Sequence, residues 1–386
     1  MRSFPTRPSV SPTRRHAKRS ARGMAMTAPS QREDTQESSV TTLSNSSPDS
    51  TRTDTRYAGS RTDLRWRFSP VALPWLVALL MLLTSIILFP SSIEFGGLAT
   101  LTPLLGVLVI ASLGQSLVIG SGGIDLSVSS VITLVGIVFV KVSGAEGGSI
   151  SRGVIAAVAV ALICGTVNGI LVEKLRLSPL VVTLATGQIM LGIGSIWYEG
   201  GVNRMSVPTS WKELSTSTLD LGISYVLLIG LAIAAVVAVG IAFTAAGRRL
   251  TAASTSVRAS AYQGIRSLRY RISTYVAASL LYALAGLLLV GNIGTPTLTL
   301  GEVYQLSTVV AVVLGGAALT GGRIHPAATI AGALFLALIN QNVAASGIAA
   351  GTQSVIQGAV LILAMTAAAV IAWVNIRSRR IINRKS

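Results

Sequence analysis

The stretch from Gly122 to Ser130 places a glycine pair, one carboxylate and three serine hydroxyls between two long apolar runs. These groups could contact a polar solute in transit or hold a bend in the backbone. In hydrocarbon every backbone N–H and C=O needs a partner inside the protein, so polar, bendable backbone at membrane depth is tolerated only where it is buried or lines a watery cavity. The stretch therefore indicates a pathway or a moving part.

The individual residues of this stretch allow two interpretations each. Gly122 and Gly123 form either a flexible break between neighbouring helices or a tight turn, because glycine adopts dihedral angles that are barred to other residues. Asp125, followed by Ser127, is either a contact in the path or gate, or an N-cap whose carboxylate accepts N–H bonds from the next helix.

Asparagines lie in or at the ends of other apolar runs, at Asn168, Asn340 and Asn342. Interhelical hydrogen bonds are the usual reason for such residues in a membrane. Lining of a polar path is the alternative.

The elements that must position these residues are long apolar segments. Hydrophobic residues make up 51% of the 386 residues and charged residues only 12%. Runs of about 20 apolar residues are long enough to cross a bilayer. The sequence thus predicts an all-α polytopic membrane protein with about ten transmembrane helices, at Val71–Phe89, Leu98–Ile119, Leu126–Val142, Gly153–Val172, Pro179–Tyr198, Gly222–Thr244, Ile272–Gly291, Val303–Leu319, Pro326–Val343 and Thr352–Val374.

The net charge of +17 reflects topology rather than a nucleic-acid partner, because 13 of the 31 Lys and Arg residues precede Pro70. Of the remaining 18, four fall in the loops or their flanks on one side of the predicted spans and 14 on the other side. The positive-inside rule then predicts that both termini are cytoplasmic.

Three segments flank or interrupt the predicted transmembrane domain at 68–376. Residues 1–67 are rich in Ser, Thr and Arg and poor in large aliphatic residues, so we expect a disordered basic tail. Residues 377–386 form a basic cytoplasmic tail. The interior loop at about 246–271 carries six arginines and no acids, and is either a positive-inside anchor or a docking segment for a cytoplasmic partner.

Several kinds of chemistry are unsupported by the sequence. No lysine follows a glycine, so the phosphate-binding Gly-Lys-Ser/Thr loop is absent. The histidines His16 and His325 lack the partners of a zinc or hydrolase site. Apart from Asp125 at a span edge, no acid lies deep in an apolar run, which disfavours a proton or sodium relay. We expect no metal, no bound cofactor and no enzymatic activity.

The sequence resembles the permease subunits of ribose-type ABC importers, which are related to the permeases for branched-chain amino acids. The resemblance extends over nearly all of Leu73 to Val374 and rests on strings that occur in the same order, namely Gly122–Ser127, Asn168–Val172, Ser178–Thr186, Gly200–Gly201, Val312–Arg323, Gly332–Ala333 and Asn340–Asn342. At Ser256, Val257 and Arg258 the sequence departs from the family pattern, which commonly has acidic residues there.

The resemblance implies a translocation subunit for a small sugar in the bacterial cytoplasmic membrane, driven by ATP hydrolysis on a separate subunit that binds the ATP and magnesium. It implies three kinds of protein partner: ATP-binding subunits, an extracytoplasmic sugar-binding protein, and a second permease copy or paralogue. The implied coupling residues are Arg248, Arg249, Ala259, Gly264 and Ile265. The implied path or gating residues are Gly122, Gly123, Asp125, Ser127, Asn168, Thr183, Asn340 and Asn342.

Three other functions are alternatives to an ABC importer subunit. A permease that has lost transport could act as a sensor or scaffold, and the altered charge at Val257 and Arg258 favours this alternative. An ion-coupled secondary carrier would need buried ionisable groups. A membrane-embedded enzyme would need a cluster of His, Cys or acidic residues that the sequence does not offer.

Overall fold

A computed structural model of the protein describes residues 71–144, 148–255 and 257–347, with single positions between 352 and 366. The predicted tails at 1–67 and 377–386 lie outside the described residues, as does most of the predicted last span. The described secondary structure is helical, apart from one isolated β-bridge between Thr218 and Ser224.

Twelve α-helices are described. In chain order they are α1 Ala72–Leu88, α2 Phe95–Gly120, α3 Val128–Ser143, α4 Ile150–Gly169, α5 Pro179–Glu199, α6 Thr209–Thr216, α7 Tyr225–Phe243, α8 Ala245–Thr255, α9 Val257–Tyr262, α10 Ser267–Ile293, α11 Tyr304–Leu314 and α12 Pro326–Ala345. A π-helical segment, Ile170–Lys174, extends α4.

Nine predicted spans coincide with described helices, although not all are full-length. Six of these helices are long and apolar enough to cross a membrane, namely α2, α4 with its π-helical extension, α5, α7, α10 and α12. The helices α1, α3 and α11 are apolar but shorter. The predicted span Val303–Leu319 is too long, because α11 ends at Leu314, where the glycine pair Gly315 and Gly316 follows.

The helices α2, α3 and α10 form the centre of the described bundle. In α2, 94% of the most apolar 18-residue stretch is buried, against 17% in α7. The helix α10 packs against α2, α3 and α4, while α3 packs against α4 and α5. Peripheral helices such as α7 expose apolar side chains, as expected where lipid replaces water.

The relative directions of the helices follow from contacts at their ends. Thr274, early in α10, donates to Ser121, just after α2, so these helices are antiparallel. Gln341, late in α12, donates to the carbonyl of Gly97 at the start of α2, so this pair is antiparallel too. Together these contacts place the C-terminal end of α2 beside the N-terminal ends of α10 and α12.

Basic residues divide between the two ends of the bundle. The end that holds the start of α10 carries Lys174, Arg176, Arg248, Arg249, Arg266, Arg269, Arg271 and Arg323. The opposite end carries Lys141, Arg152, Arg204 and Lys212. The second set contains all four residues of the smaller group in the sequence, and the first contains the eight residues of the larger group whose side chains the structure describes.

Glycines allow two of the helix pairs to approach closely. A Cβ at Gly286 of α10 would lie 2.7 Å from the carbonyl oxygen of Ile132 in α3. A Cβ at Gly332 of α12 would collide with the carbonyl oxygen of Ala311 in α11. Small residues at such positions are the usual basis of helix packing in membranes.

We predict that Gly332→Ala lowers the thermal stability of the purified protein, because the added methyl group forces α11 and α12 apart. Overpacking of this kind typically costs about 1–3 kcal/mol. Gly192→Ala in α5 is the matched control, since a Cβ there meets nothing within 4 Å. The control should be neutral or slightly stabilising, because alanine favours helix. Equal melting temperatures of the two variants in detergent would contradict the close contact.

Candidate functional site

The segment between α2 and α3 begins with a tight turn. Gly122 has a φ of +87° and its N–H donates to the carbonyl of Ile119 at 2.9 Å. Gly123 is buried, and a Cβ there would collide with the hydroxyl of Tyr275 in α10. Of the two interpretations of the glycine pair, the turn is therefore observed. Whether the pair also acts as a flexible break stays a prediction.

Asp125 fixes the chain just before α3. Its Oδ1 accepts the backbone N–H of Ser127 at 2.9 Å and the Ser127 hydroxyl at 2.6 Å. Because α3 begins at Val128 with Ser127 as its N-cap residue, Asp125 is not the N-cap itself. The carboxylate instead holds the cap residue in place, and it is only 1% exposed.

A chain of side-chain hydrogen bonds links this segment to α4 and α5. The Asn168 amide in α4 donates to the Ser127 hydroxyl at 2.9 Å and accepts from the Thr186 hydroxyl of α5 at 2.6 Å. The Leu126 N–H donates to Thr183 Oγ1 of α5 at 3.0 Å. Thus four of the predicted path or gating residues lie together, namely Asp125, Ser127, Asn168 and Thr183. We call these four residues and Thr186 the polar network.

Further residues that the sequence analysis did not select complete this site. With the Gln115 amide of α2 in the orientation that satisfies both of its ends, its nitrogen donates to the Tyr282 hydroxyl of α10 at 2.8 Å and to the Asp125 carbonyl at 3.0 Å. Gln305 in α11 donates to the carbonyl of Leu126 at 3.4 Å. A glutamine inside the apolar run of α2 was the sequence signal for Gln115.

A second non-helical segment meets the first at the start of α3. The carbonyl of Gly294 accepts the N–H of Val207 beside the far end of α3. The Gly301 N–H donates to the Thr133 hydroxyl, nearer the start of α3, at 3.0 Å. Residues 294–303 therefore run from the end of α10 back along α3. A Cβ at Gly301 would also collide with the carbonyl of Ser129. Two stretches of backbone outside helices thus converge in the bundle interior.

Asn340 and Asn342 are not part of the polar network. They lie near the C-terminal end of α12, whereas the polar network lies beside the start of that helix. The Asn342 amide donates to the Ser85 hydroxyl of α1 at 2.8 Å, with both residues buried. Asn342 therefore makes the interhelical bond that was one of its two interpretations. Asn340 is half-buried.

The loop at about 246–271 contains two helices, α8 and α9. Arg248 donates to the carbonyl of Phe243 at 3.1 Å, and Arg249 to the Tyr270 hydroxyl at 3.4 Å. Ala259 lies within α9. Gly264 has a φ of +69° and an open space where a Cβ would point, while the N–H of Ile265 donates back to Ser260 at 2.9 Å.

The tip of this loop projects from the bundle. Ala261, Tyr262, Gln263 and Gly264 are all exposed, and the Tyr262 side chain is 93% exposed. We call these four residues the α9 tip. This open aromatic side chain lies at the same end of the bundle as the larger set of arginines.

Comparison with known proteins places the chain in a protein family. A model described as the permease component of branched-chain amino acid transport systems matches residues 97–365. The chain belongs to this permease family. The permease has two apolar-rich regions inside the match, α2 to α7 and α10 to α12, with the α8–α9 loop between them.

Individual relatives align over most of their lengths. The permease is 33% identical over 276 residues to the probable ABC transporter permease protein y4mJ of Sinorhizobium fredii, covering 72% of this chain and 82% of that protein. It is 30% identical over 304 residues to the ribose import permease protein RbsC of Bacillus subtilis, covering 76% and 90%. It is 30% identical over 280 residues to the fructose import permease protein FrcC of Rhizobium meliloti, covering 70% and 76%. No solved structure matches the chain.

The family and the apolar helices together define the setting of the site. The permease is a multi-pass protein of the bacterial plasma membrane. The described residues contain no group of three His, Cys, Asp or Glu side chains that could hold a metal ion. The polar network is built from amide, hydroxyl and carboxylate groups bonded to one another, so its evident role is to hold non-helical backbone in the bundle interior.

We predict that Asp125→Ala destabilises the permease, whereas Asp125→Asn is tolerated. The alanine variant leaves the Ser127 N–H and hydroxyl without their acceptor, a loss of about 1–3 kcal/mol. An asparagine keeps a carbonyl oxygen at the same place. Thermal unfolding of both purified variants measures the difference. If Asp125→Asn melts as early as Asp125→Ala, the negative charge itself is required and the acceptor role is wrong.

Proposed function

We propose that this permease is the transmembrane subunit of an ABC importer that carries a small sugar, ribose or another monosaccharide, into the cell. The observation that carries the proposal is the alignment with the ribose import permease of Bacillus subtilis, which extends over 90% of that protein. The relatives that import fructose and galactose, the latter in Haemophilus influenzae, support the broader class of monosaccharides.

The arginine-rich end of the bundle is the cytoplasmic end in this proposal. Basic residues are retained on the cytoplasmic side of bacterial membrane proteins, and this end holds the larger set. Both termini are then cytoplasmic and the chain has about ten spans, of which the last lies mostly outside the described residues. The α9 tip accordingly faces the cytoplasm.

ATP hydrolysis on a separate subunit drives transport, and ATP and magnesium are bound there rather than by the permease. The α9 tip docks into that subunit, supported by its exposure and by the short helices α8 and α9 that carry it. Arg248, Arg249, Ala259, Gly264 and Ile265 shape this coupling loop. Closure of the ATPase pair would move the loop as a rigid body.

The polar network acts as the gating element of the path. Its backbone is held by side-chain hydrogen bonds, which can be exchanged without unwinding a helix. Gly122 and Gly123 provide the turn about which the segment moves. Asn340 and Asn342 line or brace the path near the opposite end. A second permease copy or a paralogue completes the path, and an extracytoplasmic binding protein delivers the sugar.

Reconstitution tests this function directly. The permease, its ATPase subunit and its binding protein are incorporated into proteoliposomes, and uptake of radiolabelled ribose, fructose and galactose is measured. We expect uptake of at least one of these sugars that requires internal ATP and the binding protein. Uptake that follows an ion gradient without the ATPase would instead establish a secondary carrier. ATP-independent sugar binding without uptake would support the sensor or scaffold alternative, which the basic Arg258 favours.

We predict that Tyr262→Ala lowers permease-stimulated ATP hydrolysis several-fold while leaving the melting temperature unchanged. The side chain is 93% exposed, so its removal costs little within the permease, whereas exposed aromatic residues often dominate interfaces. Phe95→Ala is the matched control, because Phe95 is 58% exposed and lies at the opposite end of the bundle. Normal stimulation by the Tyr262 variant would exclude the α9 tip as the docking point.

A further inference from the structure

A narrow groove runs between α4 and α5 on the surface of the permease. Both helices pack on α3, whose side chains form the floor. The groove encloses about 300 Å³ and is lined by residues such as Val138, Ile163, Cys164, Ile189 and Trp197. This groove is separate from the α9 tip and has no assigned role in the transport function.

The groove lies within the hydrocarbon depth of the bilayer. Its two walls, α4 and α5, are among the helices long and apolar enough to cross a membrane. Ile163 and Ile189 at its rims are both 64% exposed, so the groove opens at the surface of the described bundle. The lining is apolar apart from Thr186, whose hydroxyl is already bonded to Asn168. A polar solute would find no partner in it.

The dimensions fit one hydrocarbon chain better than a helix. From Thr186 to Trp197 along α5 the groove is roughly 16 Å long at 1.5 Å per residue, close to the ~15 Å depth of one leaflet. A volume of 300 Å³ spread over that length leaves a mean cross-section of only about 20 Å², whereas a helix is ~10 Å across. A whole helix would lie over this groove rather than within it, whereas an extended acyl chain fits along its length.

The positively charged side chain of Lys141 lies at one end of the groove. Lys141, in the last turn of α3, places its Nζ 4.3 Å from the centre of the Trp197 ring. Trp197 lines the groove, and tryptophan is typical of the membrane interface. The ammonium group is thus held where the headgroup of a lipid in the groove would lie.

We propose that this groove binds an anionic phospholipid, with one acyl chain between α4 and α5 and the lipid phosphate against Lys141. The site belongs to the leaflet at the end opposite the α9 tip. The end of the acyl chain reaches Thr186, so the bound lipid supports the same α5 residue that bonds to Asn168. Lipid binding thereby buttresses the polar network from outside.

Fluorescence quenching tests the proposal on the full-length protein in nanodiscs. Bromine atoms on an acyl chain quench tryptophan on contact, and the signal from Trp197 is isolated by subtracting that of Trp197→Phe. The probes are phosphatidylglycerol and phosphatidylcholine with identically brominated chains. We expect phosphatidylglycerol to quench Trp197 at an about fivefold lower mole fraction, the preference that one lysine near the surface confers.

Two variants identify the contacts. Lys141→Gln should abolish the preference for phosphatidylglycerol, while the control Lys212→Gln, at the same end of the bundle but packed near Gly294, should retain it. Val160→Phe, which fills the groove, should reduce quenching by both lipids.

Equal quenching of the unmodified protein by the two lipids would overturn the anionic site. Absence of quenching by either would overturn it too, since another chain would then cover the groove. Both of these outcomes are read from the unmodified protein, with Trp197→Phe as the only variant required.

Discussion

Backbone without helix inside a membrane protein must find hydrogen-bond partners other than water or lipid, and the architecture of this permease follows from that constraint. The segment before α3 meets it with side chains. Thr183 accepts the Leu126 N–H, Asp125 accepts the Ser127 N–H, and Gln305 donates to the Leu126 carbonyl. Thr183 lies in α5, Gln305 in α11 and Asp125 in the segment itself, so all three bonds form only when α5 and α11 lie beside the segment.

The same constraint explains why α3 and α11 are short. Each follows a long helix after a non-helical segment, and the two segments meet where Gln305 reaches Leu126 and Gly301 reaches Thr133. Gly301 is necessary there because any larger residue would collide with the Ser129 carbonyl. Backbone that packs this tightly is protected from lipid, yet it is held by a few side-chain bonds rather than by a continuous helical ladder.

The sequence predicted the apolar helices well, because hydropathy registers burial in lipid directly. It predicted the boundaries of the non-helical segments less well. The predicted third span begins two residues too early, since Asp125 holds Ser127 rather than capping the helix itself, and the predicted eighth span overruns Gly315. Asn168 and Asn342 looked alike in sequence, yet one bonds to Ser127 and the other to Ser85. Partners that are 41 and 257 residues distant are set by tertiary packing, which a local pattern does not contain.

The helix α10 connects the α9 tip to the polar network, the two regions that the proposed transport function has to couple. Its first turn follows the α9 tip directly, and α8 packs against it. Two turns further on, Thr274 donates to Ser121 at 3.4 Å, and the Tyr275 hydroxyl lies over Gly123 with no space for a Cβ between them. Arg271 also forms an ion pair with Glu173 at 2.8 Å, which ties α10 to the π-helical end of α4. Because a packed helix moves as a rigid rod rather than bending, a displacement of the α9 tip that shifts α10 acts on the turn at Gly122 and on the Asn168 side of the polar network together. The glycine turn is therefore the point at which a motion begun in the loop would first change the non-helical backbone.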